Sequence, residues 1–305
     1  MATFYIASTG DDTNNGAEAT PWRNFLYAID PNQSADGDTI IVKTGTNVQT
    51  VGNASVIDLG NRQILGESDI SEENIIDFDG LAISRIYGNL NCVVEGFTIQ
   101  NIRQTAASKG LFGGSGPFTC LINKINRMVL RDIWIGGHGN SSLPGSGLFN
   151  GNTNDRINIE NTKISNIRGV SGVGGNYVYF GSDRSDNFIL KLKNVTIYND
   201  SAPPVGSANI QEIFSARTNP GQVVELSADN TVIDLKIDGT INDFFKANGL
   251  GTVTFTGSNS CFHNANYSLG GTNVITLDPL YVDPDNGFFD LNPDSPVISL
   301  GRITS

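Results

Sequence analysis

Apolar and polar positions follow the same pattern in four separate segments of the chain, although the residues themselves differ. When each segment is aligned on a central Gly, Asp or Asn, the positions four and two before it and one and three after it are almost all apolar. Within each half these positions alternate with a period of two, which predicts a β-strand with one buried face. The segments are VVEGFTIQN at 93–101, VLRDIWIGG at 129–137, INIENTKIS at 157–165 and LKLKNVTIYN at 190–199.

The central residue of each segment is predicted to be a sharp bend. The apolar positions on its two sides are three residues apart, so a straight strand could not point both halves inward. Gly, Asn and Asp tolerate left-handed backbone conformations, which predicts a unit of strand, bend and strand around a shared interior. The aligned bend residues are Gly96, Asp132, Asn161 and Asn194, and a second turn column follows at Asn101, Gly137, Asn166 and Asn199.

Units of this kind bury their apolar columns only by stacking on one another. The bends recur at intervals of roughly 30 to 36 residues, which suits a coil with loops of different length inserted at one corner. We therefore predict an all-β fold, a single-stranded right-handed parallel β-helix. A β-sandwich is the structural alternative, but it would not require the same bend in every unit. TIIVKTGT at 39–46 is predicted to be the first strand, and TVIDLKI at 231–237 and GTVTFTG at 251–257 to be later coils.

The positions between the apolar columns are predicted to face outward. Thr98 and Trp134 fall in one outward column of the alignment. Another outward column carries charges of alternating sign, which we interpret as a structural charge ladder that contributes little per pair at the surface. The ladder consists of Glu95, Arg131, Glu160 and Lys193.

Both ends of an open coil need a cover, because they expose strand edges and core. TPWRNFLYAI at 20–29 predicts a short amphipathic capping helix with Thr20 as N-cap and Pro21 in its first turn. The predicted divisions of the chain are an N-terminal cap at 1–38, the β-helix coils at 39–277 and a closing segment at 278–305.

The two ends also carry a resemblance to known proteins. FYIASTGDDTNNGAEATPWRNFLYAI, followed by DGDTIIVKTGT, resembles the N-terminal cap and first strand of the pectate-lyase-like right-handed β-helix superfamily. DPLYVDPDNGFFDLNPDSPVISLG at 278–301 resembles the C-terminal segment of the same group. The resemblance implies the fold but not one activity, because the group includes polysaccharide lyases, hydrolases, epimerases, phage tailspikes and non-catalytic surface proteins. Since tailspikes of this fold are commonly trimers, it also implies a homotrimer.

Charge and composition narrow the function classes. The net charge is −12, which repels nucleic acid, and no basic patch reverses this. No apolar run approaches the roughly 20 residues of a membrane span, so membrane insertion is not expected. The first residues lack the pattern of a signal peptide. The spacing of the three cysteines indicates neither a disulfide framework nor a zinc site, and predicts buried thiols at Cys92, Cys120 and Cys261.

Glycine-rich inserts indicate where a binding site would lie. They all follow the same strand of their coils, so stacking would place them along one side as the rim of an elongated groove. Arg103, His138, Arg168 and Asp200 stand at their roots, and Trp134 lies beside them as a platform for stacking on sugar. Alternatively, Trp134 lies under its own loop or in a subunit interface. The inserts span 103–119, 137–147, 168–175 and 200–207.

Two reactions would suit such a groove. In β-elimination on an acidic sugar, Arg103, Arg168 and His138 could neutralise the carboxylate and remove the α-proton. Glycoside hydrolysis needs two carboxylates, of which Asp200 would be one. The catalytic candidates are therefore Asp200, His138 and Arg168, although a loop histidine with no catalytic role is an ordinary finding.

Further candidates concern glycan and ion binding. Asp183 and Asp186, in GSDRSDN, join Trp134, Arg103 and Arg168 as glycan-binding candidates, although a polar turn explains that segment equally well. We predict no metal site and no required cofactor. Calcium at GDDTNNG, residues 10–16, is possible, but an Asx-rich turn explains the same residues.

Two functions from different classes remain open at this stage. The first is a β-helix surface protein of phage virion type, a tailspike or capsid decoration protein that presents the groove to host-surface glycan. The second is an extracellular polysaccharide lyase or glycoside hydrolase. The first implies other virion proteins as partners and a place on the virion surface, and the second implies secretion.

Overall fold

The computed structural model describes most of the chain, and the following statements concern that part. The described residues are 1–49, 56–89, 91–104, 111–113, 122, 124–135, 146–151, 156–170, 177–182, 188–199, 207–208, 212–218, 223–235, 243–249, 252–263, 271–283 and 288–300.

Short strands dominate the described chain, and helix is limited to one four-residue turn and two 3-10 turns. The helix α1 spans Phe25–Ala28, and the 3-10 turns span Ser71–Glu73 and Ile298–Leu300. The strands are β1 Thr3–Ile6, β2 Thr39–Val42, β3 Gly45–Val48, β4 Val56–Asp58, β5 Gln63–Gly66, β6 Asn74–Asp77, β7 Ala82–Ile83, β8 Arg85–Tyr87, β9 Val93–Glu95, β10 Thr98–Gln100, β11 Arg103–Gln104, β12 Phe112–Gly113, β13 Lys124–Asn126, β14 Val129–Ile135, β15 Ser146–Gly151, β16 Arg156–Glu160, β17 Lys163–Val170, β18 Tyr177–Ser182, β19 Phe188–Lys193, β20 Thr196–Asn199, β21 Ser207–Ala208, β22 Glu212–Thr218, β23 Val223–Asp229, β24 Val232–Leu235, β25 Asp243–Gly249, β26 Thr252–His263, β27 Gly271–Ile275, β28 Tyr281–Asp283 and β29 Phe288–Leu291.

The strands form three faces, each built of parallel strands, and the chain passes through the three faces in turn. The first face runs through β1, β2, β5, β9, β13, β16, β19, β23 and the start of β26. The second runs through β3, β6, β10, β14, β17, β20, β24, the end of β26 and the end of β27. The third contains β4, β8, β12, β15, β18, β22 and β25. Each coil thus contributes one strand to each face, which confirms the predicted parallel β-helix.

Apolar side chains at equivalent positions of successive coils stack into columns that fill the interior. One column consists of Ile64, Val94, Ile125, Ile159 and Leu192, all buried. On the third face the rings of Phe112, Phe149 and Phe180 stack with centroids 5.1 and 5.6 Å apart. Each coil supplies only a thin layer of core, so its burial depends on its two neighbours.

Corner residues with positive φ form two columns. The first column joins the first face to the second face, and the second column lies within the second face, where it bends the chain again. The first column consists of Gly96, Arg127, Asn161, Asn194, Asn230, Asn259 and Asn273, and the second includes Asn101, Asp132 and Asn166. The predicted placement of Asp132 beside Gly96 is therefore wrong: Gln100 pairs with Arg131, so Asp132 follows Asn101. Both corners are flanked by apolar positions at the same spacing. The repeat pattern therefore also fits when the second corner of one coil is aligned with the first corner of another, as happened with Asp132 and Gly96.

The first corner of that coil is Arg127, a residue that rarely takes φ near +50°. Its guanidinium lies 3.0 Å from a carboxylate oxygen of Glu95 and 2.7 Å from one of Asp69, and these ion pairs raise its pKa. The corrected register also changes the predicted charge ladder. Glu95 is followed by Asn126, Glu160 and Lys193, while Arg131 lies in another column and donates to Gln100.

Thr98 was predicted to face outward, and its side chain is instead fully buried. The 3-10 turn Ser71–Glu73 lies over it, and the Thr98 hydroxyl donates to the carbonyl of Ser71 at 3.0 Å. The column pattern holds for the strand, but a neighbouring turn covers this part of its outer face.

The N-terminal cap contains the predicted short helix, but the helix starts later than predicted. Its N-cap is Asn24 rather than Thr20, which pairs with Ala17. The carboxylate of Asp12 accepts hydrogen bonds from the backbone N–H groups of Arg23 and Asn24, so the segment before the helix stays extended. Trp22 bridges to Ile6 and is buried. The cap therefore covers the first coil mainly with extended chain.

The closing segment covers the last coils. β28 and β29 pair antiparallel, and Leu291 and Val297 pack against Val232 and Cys261 in a small second core. Cys92 and Cys261 are buried, as predicted, whereas Cys120 lies outside the described residues. No helix among the described residues has the length and apolar character needed to cross a membrane.

Candidate functional site

Three of the predicted site residues, Arg103, Trp134 and Arg168, occupy one column on three successive coils. Arg103 of β11 pairs in register with Trp134 of β14, and Trp134 pairs with Arg168 of β17. Trp134, predicted to lie next to the arginines, thus stands between them. We call Arg103, Trp134 and Arg168 the Arg–Trp–Arg column.

The second corner sets the direction of this column. Each of its members directly follows a fully buried isoleucine: Ile102, Ile133 and Ile167. Because neighbouring residues of a strand point to opposite faces, the three side chains start outward from the coil. Successive strands lie about 4.8 Å apart, so the column presents one side chain per coil at that spacing.

The solvent exposure of the side chains decreases along the column from Arg103 to Arg168. Arg103 is exposed and Trp134 is partly exposed, while Arg168 is only 5% exposed. Nη1 of Arg168 is buried and has no hydrogen-bond partner among the described residues. A buried guanidinium N–H without an acceptor is costly, and an anionic group placed beside it would remove that cost.

The ladder changes beyond Arg168. Gly169 pairs parallel with Ile135 of β14 on one side, but on the other side Gly169 and Val170 pair antiparallel with Ala208 and Ser207 of β21. This pairing interrupts the stack of parallel coils at the buried end of the Arg–Trp–Arg column. A ligand would therefore approach from the side of Trp134 and Arg103.

The remaining predicted site residues cannot be placed relative to the Arg–Trp–Arg column. His138, Asp183, Asp186 and Asp200 lie outside the described residues. In the possible calcium segment, Asp11 accepts hydrogen bonds from the N–H and hydroxyl of Thr13, and these lower its pKa. The Asp12 carboxylate is likewise occupied by the start of the cap helix. These contacts are those of an Asx-rich turn.

A second cluster was missed by the sequence analysis. Asp234 of β24 pairs in register with His263 of β26, and Asp234 Oδ1 lies 2.7 Å from His263 Nδ1. One potential ligand atom from each of Asp234, His263 and Asp278 lies within 4.8 Å of the others. Among the described residues, this is the group arranged to hold a metal ion.

Part of this cluster was visible in the sequence. Asp234 and His263 stand at the same offset after the corner residues Asn230 and Asn259, so an alignment extended to the last coils would have paired them. Asp278 lies in the closing segment, outside the repeat, and no spacing rule relates it to the other two.

A shallow depression on the outer surface of the first face is a third surface of interest. It is lined by Lys191, Glu225, Thr254 and Thr256, among others. Its lining includes one positively charged side chain, one negatively charged side chain and hydroxyl groups, but no aromatic ring. It is therefore less suited to binding a sugar than the Arg–Trp–Arg column.

Comparison with known proteins finds likeness in structure alone. No family model matches the sequence, and no curated protein matches it. A rhamnogalacturonan lyase matches with a TM-score of 0.43 and 14% identity, over 87% of this chain and 74% of its own. Pectate lyase Pel9A matches with a TM-score of 0.44 and 15% identity, over 86% of this chain and 63% of its own.

Proposed function

We propose that the protein binds an acidic polysaccharide at the Arg–Trp–Arg column. The observation that carries the proposal is the Arg168 guanidinium, which is 5% exposed and in register with a partly exposed Trp134; its Nη1 has no hydrogen-bond partner in the described part of the chain. An indole offers a flat apolar surface to the carbon-bound hydrogens of a pyranose ring. A guanidinium binds a carboxylate through two parallel hydrogen bonds. Together these groups match a sugar chain that carries carboxylates.

The net charge of −12 repels an acidic polysaccharide at long range, but it does not prevent binding once the polysaccharide is in contact with the arginines. At physiological ionic strength the Debye length is about 8 Å, so distant carboxylates on the protein are largely screened from the ligand. A carboxylate in contact with Arg168 would be screened much less, because water is excluded there. The local arginines therefore decide binding once salt is present.

Calorimetric titration with acidic and neutral oligosaccharides of matched length tests the proposal. We expect acidic oligosaccharides to bind, and Arg103→Ala to weaken binding roughly 10- to 100-fold, since a charge-assisted hydrogen bond contributes about 1.5–3 kcal/mol. Lys191→Ala, which removes the same charge from the depression on the first face, should leave the affinity unchanged. Equal affinity for neutral oligosaccharides, or loss of binding only in Lys191→Ala, would contradict the proposal.

Cleavage of the bound polysaccharide by β-elimination is a second candidate. A guanidinium on each side of Trp134 favours it, because pairing a uronate carboxylate with a guanidinium makes the neighbouring α-proton easier to remove. The assay is ultraviolet absorbance of the unsaturated product, with reducing-end release as the test for hydrolysis. Product formed by the wild type and lost in Arg168→Lys would establish cleavage, whereas binding without product would limit the function to recognition.

The biological setting remains the one proposed from the sequence, in two forms. As a tailspike or capsid decoration protein of phage virion type, the chain would present the column to host-surface glycan, with other virion proteins as partners. As a secreted polysaccharide lyase or glycoside hydrolase, it would act alone on the same class of ligand. The first form includes a homotrimer, which light scattering on the purified chain would test, and a monomer would count against it.

A further inference from the structure

The Asp234–His263–Asp278 cluster joins three separate parts of the molecule. Asp234 and His263 belong to β24 and β26 of the second face, and Asp278 belongs to the segment that leaves β27 and starts the closing segment. Nearby, Tyr281 of the closing segment packs edge-to-face on Tyr198, and Cys261 Sγ donates to the carbonyl of Leu277. The closing segment therefore crosses the second face at this cluster.

The cluster is buried on one side and open on the other. Asp234 is only 2% exposed, the side chain of His263 is 20% exposed, and Asp278 is exposed. Two carboxylates close together around one imidazole carry an excess of negative charge, even when the imidazole is protonated. A buried carboxylate needs a compensating positive charge, and a divalent cation would supply it for both aspartates at once.

We propose that Asp234, His263 and Asp278 bind one divalent transition-metal ion of the zinc type. A nitrogen ligand with two carboxylate oxygens suits zinc, whereas calcium and magnesium prefer oxygen ligands alone. Three protein ligands leave a further position for water.

The present geometry is close to what such a site requires. Ligand atoms at about 2.0–2.2 Å from a tetrahedral zinc lie roughly 3.4 Å from one another. The Asp234–His263 contact of 2.7 Å would open slightly, and the wider separations, within 4.8 Å, would close. Small side-chain rotations on fixed strands achieve both, and Asp278 is on the exposed side where it can adjust. A bound metal would replace the direct contact between Asp234 and His263.

The ion would fasten the closing segment to β24 and β26. Asp278 is the ligand that the closing segment contributes, and the two strands contribute the others. An ion that binds the folded state and not the unfolded chain stabilises the fold by mass action. Zinc is thus expected to protect the C-terminal end of the β-helix, independently of whether the Arg–Trp–Arg column binds a glycan.

Titration of tag-free, chelator-treated protein with zinc chloride tests the site, followed by calorimetry and thermal unfolding. We expect one zinc per chain, a rise in the unfolding midpoint of roughly 4 °C at about 100 times Kd, and increased protection from hydrogen exchange at 277–283. Asp278→Asn, an exposed substitution that should not disturb folding, and His263→Ala should each weaken zinc binding at least 10-fold. Asp294→Asn, in the same closing segment and also exposed, is the matched control and should bind as the wild type does.

Three results would overturn the proposal. The first is no zinc binding by the folded wild type at neutral pH. The second is binding that Asp278→Asn and His263→Ala leave unchanged, which would place the ion elsewhere. The third is equal stabilisation by calcium and zinc, which would mean that the imidazole is not a ligand and only the carboxylates act.

Discussion

Gly96 shows how single residues make the coil possible. Its φ of +80° turns the chain from the first face to the second, and its carbonyl accepts a hydrogen bond from Asn74 Nδ2 at 2.9 Å. The next coil solves the same problem with Arg127, whose ion pairs offset the strain of φ +50°. The sequence pattern could predict the first corner because Gly favours such φ values, but it could not identify Arg127, since its suitability depends on partners far along the chain.

Gly66, on the coil before Gly96, is predicted to tolerate no side chain. A Cβ atom there would lie 1.8 Å from the carbonyl oxygen of Gly96 and 2.6 Å from Asn74 Nδ2. Because the obstacle is backbone of the adjacent coil, we expect Gly66→Ala to separate the two coils locally. The free energy of unfolding in urea should fall by at least about 3 kcal/mol, at the upper end of the usual cost of overpacking.

Gly80→Ala is the control for this prediction. Gly80, unlike Gly66, has a positive φ, of +75°, but a Cβ there would meet nothing within 4 Å. The substitution should cost only the backbone strain of about 1–2 kcal/mol. Equal costs for Gly66→Ala and Gly80→Ala would show that the coils are not packed as closely as described.

Corner residues also act together, as a hydrogen-bonded ladder. Asn194 Nδ2 donates to Asn161 Oδ1 at 2.8 Å, and Asn230 Nδ2 donates to Asn194 Oδ1 at 2.6 Å. In the second column Asn166 Nδ2 donates to Asp132 Oδ1, and Asn199 bonds the backbone of Ile167. The longer ladder forms in the first column. Such ladders tie each strand–corner–strand unit to the next and help to fix the register.

Asn194→Ala and Asn194→Gly separate the two roles of this corner. Alanine loses both ladder hydrogen bonds and is strained at a φ of +53°, so we expect a loss of roughly 3–4 kcal/mol in the free energy of unfolding. Glycine loses the same bonds without the strain, so it should cost roughly 1–2 kcal/mol less than alanine. Chemical denaturation of both variants measures the difference. Wild-type stability in both variants would mean that the ladder does not hold the coils together.

At the scale of the whole molecule, the stacking of coils explains which features the sequence predicted and which it did not. Apolar parity and bend residues predicted the parallel β-helix, and the same parity placed Arg103 and Arg168 on one edge. It could not show that Trp134 stands between them, because the alignment was one corner out of step. It could not show the Asp234–His263–Asp278 cluster either, because Asp278 reaches it through the fold of the closing segment. Contacts within the repeat were predictable, and contacts between the repeat and its ends were not.

The most direct test of the central claim, that acidic polysaccharide binds at the Arg–Trp–Arg column, is tryptophan fluorescence during titration with an acidic oligosaccharide. The chain has two tryptophans, and Trp22 is buried in the N-terminal cap, so a sugar stacked on Trp134 should change the emission of that residue alone. We predict a saturable change in the wild type and none in Trp134→Phe. An unchanged emission at ligand concentrations that saturate binding, or the same change in Trp134→Phe, would contradict the account.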